Sequence, residues 1–313
     1  NVQIHSQPVI FDTLAEEYAA FGRRWIAEHA HKPFVFFCSH SHVHTAIAED
    51  PQWAGSNFWN HSLRGPFGDA ASEMDWLAGQ LLDQLDESGV ADNTVVFFTS
   101  DNGPWRIKGL NGGAQGTFSA NYAMLNYKYS DSGKASTWEA GLREPAAARW
   151  PGHIPPGTVS MGIHSTMDIF TTMLSLAGVE IPTDRVIDGR DLSDFFNGGP
   201  DEGWGHYIYF RNADIAAVRV GGFKAHFVTK SGYGSDKPVV HNPPLIFNVD
   251  HDPSEEYAID PSTVPEFLQQ VNATLEKFMS TLYIAPDILA PSGKQYWACC
   301  DQAKDCNCTT YPS

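Results

Sequence analysis

The chain has 313 residues, of which 42% are hydrophobic and 12% aromatic, and this composition predicts a globular protein rather than a disordered one. Its formal net charge of −17 argues against nucleic-acid binding, which would need a basic face. No apolar run reaches the roughly 20 residues that cross a bilayer, so we expect no membrane span.

Helix and strand patterns alternate in the first hundred residues. An amphipathic helix is expected to begin at Thr13, and a second over residues 69–88, because apolar side chains recur there at helical spacing. The apolar runs 34–38 and 95–100 each predict a buried strand, the second covered on both faces as in a parallel sheet. The alternation with short links indicates parallel β/α winding.

The middle of the chain is dominated by a segment without a clear period. Residues 104–132 are rich in Gly, Asn, Ser and Tyr and predict a long loop, which in a compact domain is usually functional or mobile. A short, buried strand is expected over residues 145–150. A helix is expected over residues 165–177, ended by Gly178.

After Gly203 the pattern changes to short strands joined by turns that contain glycine. The strands are expected at residues 207–210, 216–220, 224–229 and 245–249, and residues 264–282 predict a helix. We therefore expect residues 1–203 to form part of an α/β core. Residues 204–313 are expected to form a small subdomain with an antiparallel sheet, one helix and a cysteine-rich tail.

Two oxygen-bearing side chains follow the apolar run 95–100 directly, at Asp101 and Asn102, and Gly103 comes next. In open α/β sheets, ligands sit at the carboxyl ends of the strands. A carboxylate and an amide oxygen side by side suit a hard cation such as Ca²⁺ or Mg²⁺ better than zinc. The alternative is an ordinary Asp-Asn-Gly turn.

Three histidines alternate along the chain at positions 40, 42 and 44. On an extended chain they would share one face. His44 is a candidate proton donor, but each ring could instead be a hydrogen-bonded histidine at the end of a strand. A zinc site carried by the three rings is a further alternative.

Cysteines and sequons favour an oxidising, secretory route. Five cysteines are present, and four of them crowd into the tail, where an even set suggests disulfides that can form three pairings. A zinc knuckle is the alternative, although adjacent Cys299 and Cys300 lack its usual spacing. Glycosylation sequons occur at Asn60, Asn272 and Asn307, and we expect a lysosomal or secreted protein.

The segment 133–145, GKASTWEAGLREP, resembles the sulfatase pattern G-K-x-x-x-[YFW]-E-x-G-x-R-x-P. The strand that ends FTSDNG resembles the sulfatase metal strand. Further segments, WPGHI from Trp150, KAHF from Lys224 and PPLIF from Pro243, are similar to the branch of that family with arylsulfatase A and N-acetylgalactosamine-6-sulfatase. The resemblance covers nearly the whole chain, in order. It implies the mixed α/β sheet of the alkaline-phosphatase-like fold, flanked by helices.

The resemblance also implies roles for four residues. Asp101 and Asn102 would be ligands of a calcium ion, Lys134 would hold a sulfate oxygen, and His44 would protonate the leaving alcohol or phenol. These roles are chemically reasonable, because the leaving oxygen gains negative charge as the S–O bond breaks. Lys134 could also be an ordinary solvated lysine. Glu139 and Arg143 are expected to be structural, as an ion pair or a turn anchor, rather than catalytic.

The chain departs from the family pattern in three places. Ala140 stands where the family often has glycine, and His44 is followed by Thr45 and Ala46 without the family's proline. The family's nucleophile is a formylglycine made in a C/S-x-P-x-R motif, and no such motif occurs in the sequence. We therefore expect this chain to be the C-terminal part of a sulfatase, completed by an N-terminal sulfatase segment or chain.

The resemblance implies a sulfuric ester hydrolase that acts on aryl or carbohydrate sulfate esters with calcium, this chain supplying the leaving-group side. The alternative is a catalytically inactive structural, matrix or binding protein derived from a sulfatase. A two-zinc phosphoesterase of the same superfamily is disfavoured by Gly133 and Lys134. The tail resembles that of arylsulfatase A, which implies the pairs Cys299–Cys306 and Cys300–Cys308. The oligomeric state stays open, a homo-oligomer included.

Overall fold

A computed structural model describes residues 10–45, 54–55, 57–129 and 131–284 of the chain. The cysteine-rich tail, with both expected disulfides and the sequon at Asn307, lies outside these residues. Cys38, the cysteine within them, is a free thiol.

Two helices form the first packed layer. Helix α1 (Leu14–His29) lies against helix α2 (Gly65–Glu87), and both expected helices are confirmed. Their contact buries Ile26 and Leu85 together with Ala91, which lies just beyond the end of α2. The helical spacing of apolar residues was thus a sound guide, because each helix has a partner onto which its apolar stripe can pack.

The expected buried strand at residues 34–38 is wrong. The segment is extended but has no strand partner among the described residues, and its side chains alternate between partial burial and exposure. Phe34 and Phe36 contact Trp25 of α1, whereas Val35 is 60% exposed and Phe37 is 88% exposed. One face of this segment therefore packs on the helix layer and the other face is open.

The strand before Asp101 forms, but with a different partner from the one expected. Strand β1 (Val96–Thr99) pairs antiparallel with strand β2 (Ala146–Arg149), with Phe97 opposite Ala148. Phe98 is 41% exposed, so β1 is not covered on both faces by the described residues. The parallel pairing that we expected here is not found in the described part of the chain.

Short helices fill the connections of the central region. The expected loop 104–132 contains a 3₁₀ helix, Arg106–Asn111, and helix α3. The helix expected from Ser165 is present and begins at Asp168. The helices of this region are α3 (Asn121–Asn126), α4 (Glu139–Leu142), α5 (Asp168–Leu176) and α6 (Ser193–Phe196).

The C-terminal part contains the antiparallel sheet and the helix that the sequence predicts. Its four strands lie in chain order, β3 (His206–Arg211), β4 (Asp214–Val220), β5 (Phe223–Thr229) and β6 (Val239–Asn248). Helix α7 (Pro265–Thr281) covers one face, where Phe267 and Val271 pack on Val218, Ala225 and Ile246.

The other face of this sheet packs against the central region. Trp138, at the N-terminus of α4, is fully buried and contacts Phe247 of β6 and His226 of β5. The segment 133–145 is therefore held directly on the C-terminal sheet. Among the described residues, no helix combines the length and apolar character that crossing a bilayer requires.

Candidate active site

The loop after β1 carries Asp101 and Asn102 and is pressed against α4. The backbone N–H of Gly103 donates to the carbonyl of Gly141 at 3.2 Å. A Cβ at Gly103 would lie 1.7 Å from the carbonyl oxygen of Ala140, so only glycine fits here without a backbone shift. This close approach fixes the two candidate metal ligands relative to the segment that carries Lys134.

A second backbone contact ties Lys134 to the same loop. Its backbone N–H donates to the carbonyl of Pro104 at 3.0 Å. A Cβ at Gly133 would lie 2.1 Å from that carbonyl oxygen, which explains the glycine before the lysine. The spacing between Asp101 and Lys134 in the folded chain is thus set by backbone hydrogen bonds rather than by flexible side chains.

The indole of Trp105 joins the candidate catalytic side chains. The Lys134 Nζ atom lies 5.4 Å from its ring centroid, and the centroid of the His44 ring lies 6.0 Å from it. The structure therefore brings His44 and Lys134 close to the loop that carries Asp101 and Asn102. His44 and Lys134 are about 90 residues apart in the sequence. No feature of the sequence predicted Trp105 as the residue between them.

The hydrogen bond of His44 defines which ring nitrogen can transfer a proton. His44 is exposed, and its Nδ1–H donates to the carbonyl of Thr45 at 2.9 Å. This bond leaves Nε2 as the acceptor in the neutral ring and as a second donor in the imidazolium. A proton given to a leaving group would therefore come from Nε2.

The three histidines do not lie along an extended chain. A turn replaces the expected extended chain, with the His44 N–H donating to the carbonyl of Ser41 at 3.1 Å. His42 is buried and its Nε2 lies 2.6 Å from Oε2 of Glu73, while His40 packs edge-on to Tyr18. Within the described ranges, no three His, Cys, Asp or Glu side chains lie together where they could hold a metal ion.

Negative charge accumulates beside Asp101. Burial raises the pKa of Glu144 to about 7, and the Asp101 carboxylate adds to the shift. The Oε1 atom of Glu144 is buried without a hydrogen-bond partner among the described residues. Two carboxyl groups so placed cannot both ionise cheaply unless a cation is near. Sequence reasoning missed Glu144, although it lies next to Arg143 within the family pattern.

The donor set fits a calcium ion in part. Asp101 offers a carboxylate, and Asn102 offers its amide oxygen, because its Nδ2 is engaged with the Gly103 carbonyl at 3.0 Å. Calcium takes six to eight oxygen ligands, so two side chains amount to part of a coordination shell. The buried Oε1 atom of Glu144, which has no hydrogen-bond partner among the described residues, is a further candidate ligand.

A buried group of charged side chains anchors the segment that carries Lys134; we call it the anchor cluster, and it consists of Glu139, Arg219, Lys224, His226 and Glu255. Lys224 is 0% exposed, and its Nζ contacts Glu139 at 2.9 Å and Glu255 at 3.2 Å. The other carboxylate oxygen of Glu255 accepts the backbone N–H of Glu139 at 2.6 Å. Strand β5 is thereby joined to the first residue of α4.

The protonation states in the anchor cluster follow from its charges. Burial alone would lower the pKa of Lys224, but the carboxylates of Glu139 and Glu255 outweigh it and raise that pKa above its usual value. Burial lowers the pKa of His226, so the ring stays neutral and its Nε2–H donates to Glu255 at 2.7 Å. Arg143 contacts Glu139 at 3.4 Å, and the expected structural ion pair is confirmed.

Ala140 occupies a backbone conformation that any residue can adopt. It lies inside α4, is buried, and is not among the residues with positive φ. The loss of the family's glycine at this position therefore introduces no backbone strain. The positive φ in this segment falls instead at Ala135, directly after Lys134.

A group of Ser160, His164 and Asp201 resembles a hydrolytic triad in composition but not in geometry. The same His164 atom, Nε2, lies 3.0 Å from Ser160 Oγ and 2.9 Å from Asp201 Oδ1. A triad needs the base to use one nitrogen for serine and the other for the carboxylate. Asp201 also accepts the backbone N–H groups of Met161 and Gly162, so we assign this group to loop structure.

Two family models match the chain, one after the other. The model of the sulfatase family matches residues 5–179, and a model described as the C-terminal region of aryl-sulfatase matches residues 204–308. Curated relatives agree. The chain is 36% identical over 315 residues to the steryl-sulfatase of Rattus norvegicus. The matched region covers 92% of this chain and 52% of that protein.

A second relative is the arylsulfatase A of Bos taurus, 33% identical over 338 residues, with 100% of this chain and 62% of that protein covered. The chain thus spans about half to three fifths of the length of these relatives. Among solved structures, a sulfatase from Pseudoalteromonas sp. matches with a TM-score of 0.73 and 26% identity over 90% of this chain and 56% of that one.

Proposed function

The chain belongs to the sulfatase family, and on that premise we propose that it takes part in the hydrolysis of sulfate esters and contributes the leaving-group side of the site. One observation carries the proposal. His44 and Lys134 each lie within about 6 Å of the ring centroid of Trp105, which follows the candidate oxygen ligands Asp101 and Asn102 in the same loop. Four residues to which we assign complementary roles in ester cleavage are thus associated with one loop.

The chemistry assigned to the two cationic side chains follows from the charge of the reaction. The Lys134 ammonium binds a sulfate oxygen, and its position is fixed by the backbone bond to Pro104. As the S–O bond breaks, negative charge grows on the leaving oxygen, and the Nε2–H of a protonated His44 donates to it. Removing either group raises the energy of the transition state more than that of the bound ester.

Calcium is proposed as the metal. Asp101 and Asn102 would hold it, with the Glu144 carboxyl nearby, and the ion would supply positive charge that polarises the sulfate group. The remaining ligands would come from outside the described residues. We also propose the disulfide pairs in the tail, and glycans at the exposed Asn60 and Asn272, in a lysosomal or secreted protein.

The formylglycine nucleophile does not fit any residue of this chain. Ser6-Gln7-Pro8-Val9-Ile10 has the proline but not the arginine, and Cys38 is followed by Ser39 and His40. No step is assigned to that group. We propose that an N-terminal sulfatase segment supplies it, and mass spectrometry of the native protein tests this, because absence of any such peptide contradicts the proposal.

Turnover of a chromogenic aryl sulfate by the native protein tests the function. We expect calcium-dependent hydrolysis that Lys134→Ala abolishes and His44→Ala lowers by about 10²- to 10⁴-fold. Lys128→Ala, a lysine in the same loop region, is the matched control and should retain activity. Unchanged turnover in both active-site variants would contradict the roles assigned to Lys134 and His44. Absence of turnover in the native protein would favour the alternative of an inactive structural protein.

A further inference from the structure

A second lysine, to which the proposed hydrolysis gives no role, also lies against the indole of Trp105. Besides Lys134, the Lys108 Nζ atom lies 4.7 Å from the centroid of the indole, and the ring of Tyr233 lies 5.0 Å from it. Lys108 stands within the 3₁₀ helix 106–111, and its backbone N–H donates to the Trp105 carbonyl at 3.0 Å. The ammonium groups of Lys108 and Lys134 and the ring of Tyr233 therefore all lie close to the indole of Trp105.

This arrangement is accessible from solvent. Lys108 is exposed, Tyr233 is 50% exposed, and Trp105 and Lys134 are partly buried. In the described part of the chain, neither lysine has a carboxylate within ion-pair distance. Both positive charges are thus available to an anionic ligand, although the chain as a whole carries a charge of −17.

Chemistry separates the roles of the two lysines. Lys134 lies in the segment bonded to the Asp101–Asn102 loop and is assigned to the sulfate that is cleaved. Lys108 has no part in that step, yet it lies on the same indole. A ligand ring that packs beside the indole of Trp105 and the ring of Tyr233 would place one anionic group at each lysine.

We propose that Trp105 and Lys108 bind the alcohol part of the substrate and favour sulfate esters that carry a second negative charge. The inference rests on the proposed function and narrows its substrate class to dianionic sulfate esters, in which a carboxylate or second sulfate lies on the ring opposite Lys108. A neutral, apolar alcohol part would pack beside Trp105 and Tyr233 but would leave Lys108 without an anionic partner.

Calorimetric titration of the protein in the presence of calcium tests this, with benzylsulfonate and 4-carboxybenzylsulfonate as a matched pair of ligands. In both, a methylene group replaces the ester oxygen, so the ligands are bound but not hydrolysed. We expect the second ligand to bind about threefold more tightly or better, as a solvent-exposed charge pair allows. Lys108→Gln should remove that preference by weakening 4-carboxybenzylsulfonate more than benzylsulfonate. Trp105→Ala should weaken both ligands.

The control is Lys277→Gln, which removes the same charge from the exposed face of α7 and should preserve the preference. If both ligands bind equally and Lys108→Gln changes nothing, the inference is wrong while the proposed function stands. If neither ligand binds, or if Lys134→Ala does not weaken binding, the proposed function fails and the inference fails with it.

Discussion

Among the residues beside the candidate metal site, Glu144 has a carboxyl group whose protonation depends on its surroundings. Its pKa is raised to about 7 by burial and by Asp101, against an ordinary value of 4.5. The folded chain therefore holds this proton more tightly than the unfolded chain does. The contribution to stability is present below pH 4.5 and is lost as the pH rises through 7.

Glu144→Gln should stabilise the protein at alkaline pH and have little effect at acidic pH. The substitution removes a charge that the folded state tolerates poorly, while screening at this half-buried position limits the gain. We expect a rise in Tm of about 2–4 °C at pH 8 without added metal, measured by calorimetry. Calcium should raise the Tm of the unaltered chain more than that of the variant.

The matched control for this experiment is Glu276→Gln, an exposed carboxylate of α7. It should leave the pH dependence of Tm unchanged. Equal behaviour of the two variants at every pH would show that Glu144 is not held in an unfavourable charged state.

At the scale of elements, the anchor cluster joins β5 to α4. Lys224 balances two buried carboxylates, Glu139 and Glu255, and all three are nearly inaccessible to water. Without Lys224, the buried Glu255 would have no cationic lysine or arginine beside it among the described residues, and Glu139 would keep only its longer contacts with Arg143 and Arg219. The position of the segment that carries Lys134 therefore depends on a charge balance formed with a distant strand.

Lys224→Met should destabilise the chain by about 3–5 kcal/mol, because two carboxylates lose their shared cation. Chemical denaturation measures the change, with Lys277→Met as the surface control. Adding Glu255→Gln to Lys224→Met should recover part of the loss, since it removes one uncompensated charge. Equal denaturation midpoints for Lys224→Met and Lys277→Met would contradict a structural role of the cluster.

The sequence predicted whether a segment is a helix or a strand wherever the segment itself contains a clear pattern. The helices α1, α2 and α7 follow from the spacing of their apolar residues, and β3–β6 from short runs between glycine turns. The runs at 34–38 and 96–99 are equally apolar, yet they are half-exposed. Burial of an apolar run depends on which elements cover it, and a single sequence does not contain that information.

The candidate site was predictable only as far as its motif residues. Asp101, Asn102, Lys134 and His44 were assigned from family patterns, and the structure gives them a common neighbourhood. Trp105, Glu144 and the partners of Lys224 were not predicted, because each matters through contacts between residues far apart in the chain. Nothing in the sequence around Trp105 indicates whether its ring lies on the protein surface or contacts the candidate catalytic residues.

At the scale of the whole molecule, some segments with apolar side chains are left uncovered by the other described residues. Val35 and Phe37 of the extended segment are exposed, and so is Phe98 of β1. Extended segments with open hydrogen-bonding groups and apolar side chains are templates for association. The proposed N-terminal segment would have a natural place against them.

The 313-residue chain alone should therefore associate in a concentration-dependent way, as measured by size-exclusion chromatography with light scattering. Phe37→Lys should reduce this association. Val186→Lys, which also replaces an exposed apolar residue but lies outside the extended segment, should not. A sharp thermal transition of a monomeric chain at all concentrations would contradict the prediction.

Glu255 has a consequence for how this protein can diversify. Glu255 lies within the family match 204–308, where one of its oxygens contacts Lys224 and His226. Its other oxygen accepts the backbone N–H of Glu139 at the start of α4, which lies within the match 5–179. Recombination that exchanged either half for that of a distant relative would have to import a compatible partner set for this carboxylate. The contacts of Glu255 thus couple the two matched regions, although each region matches its own family model.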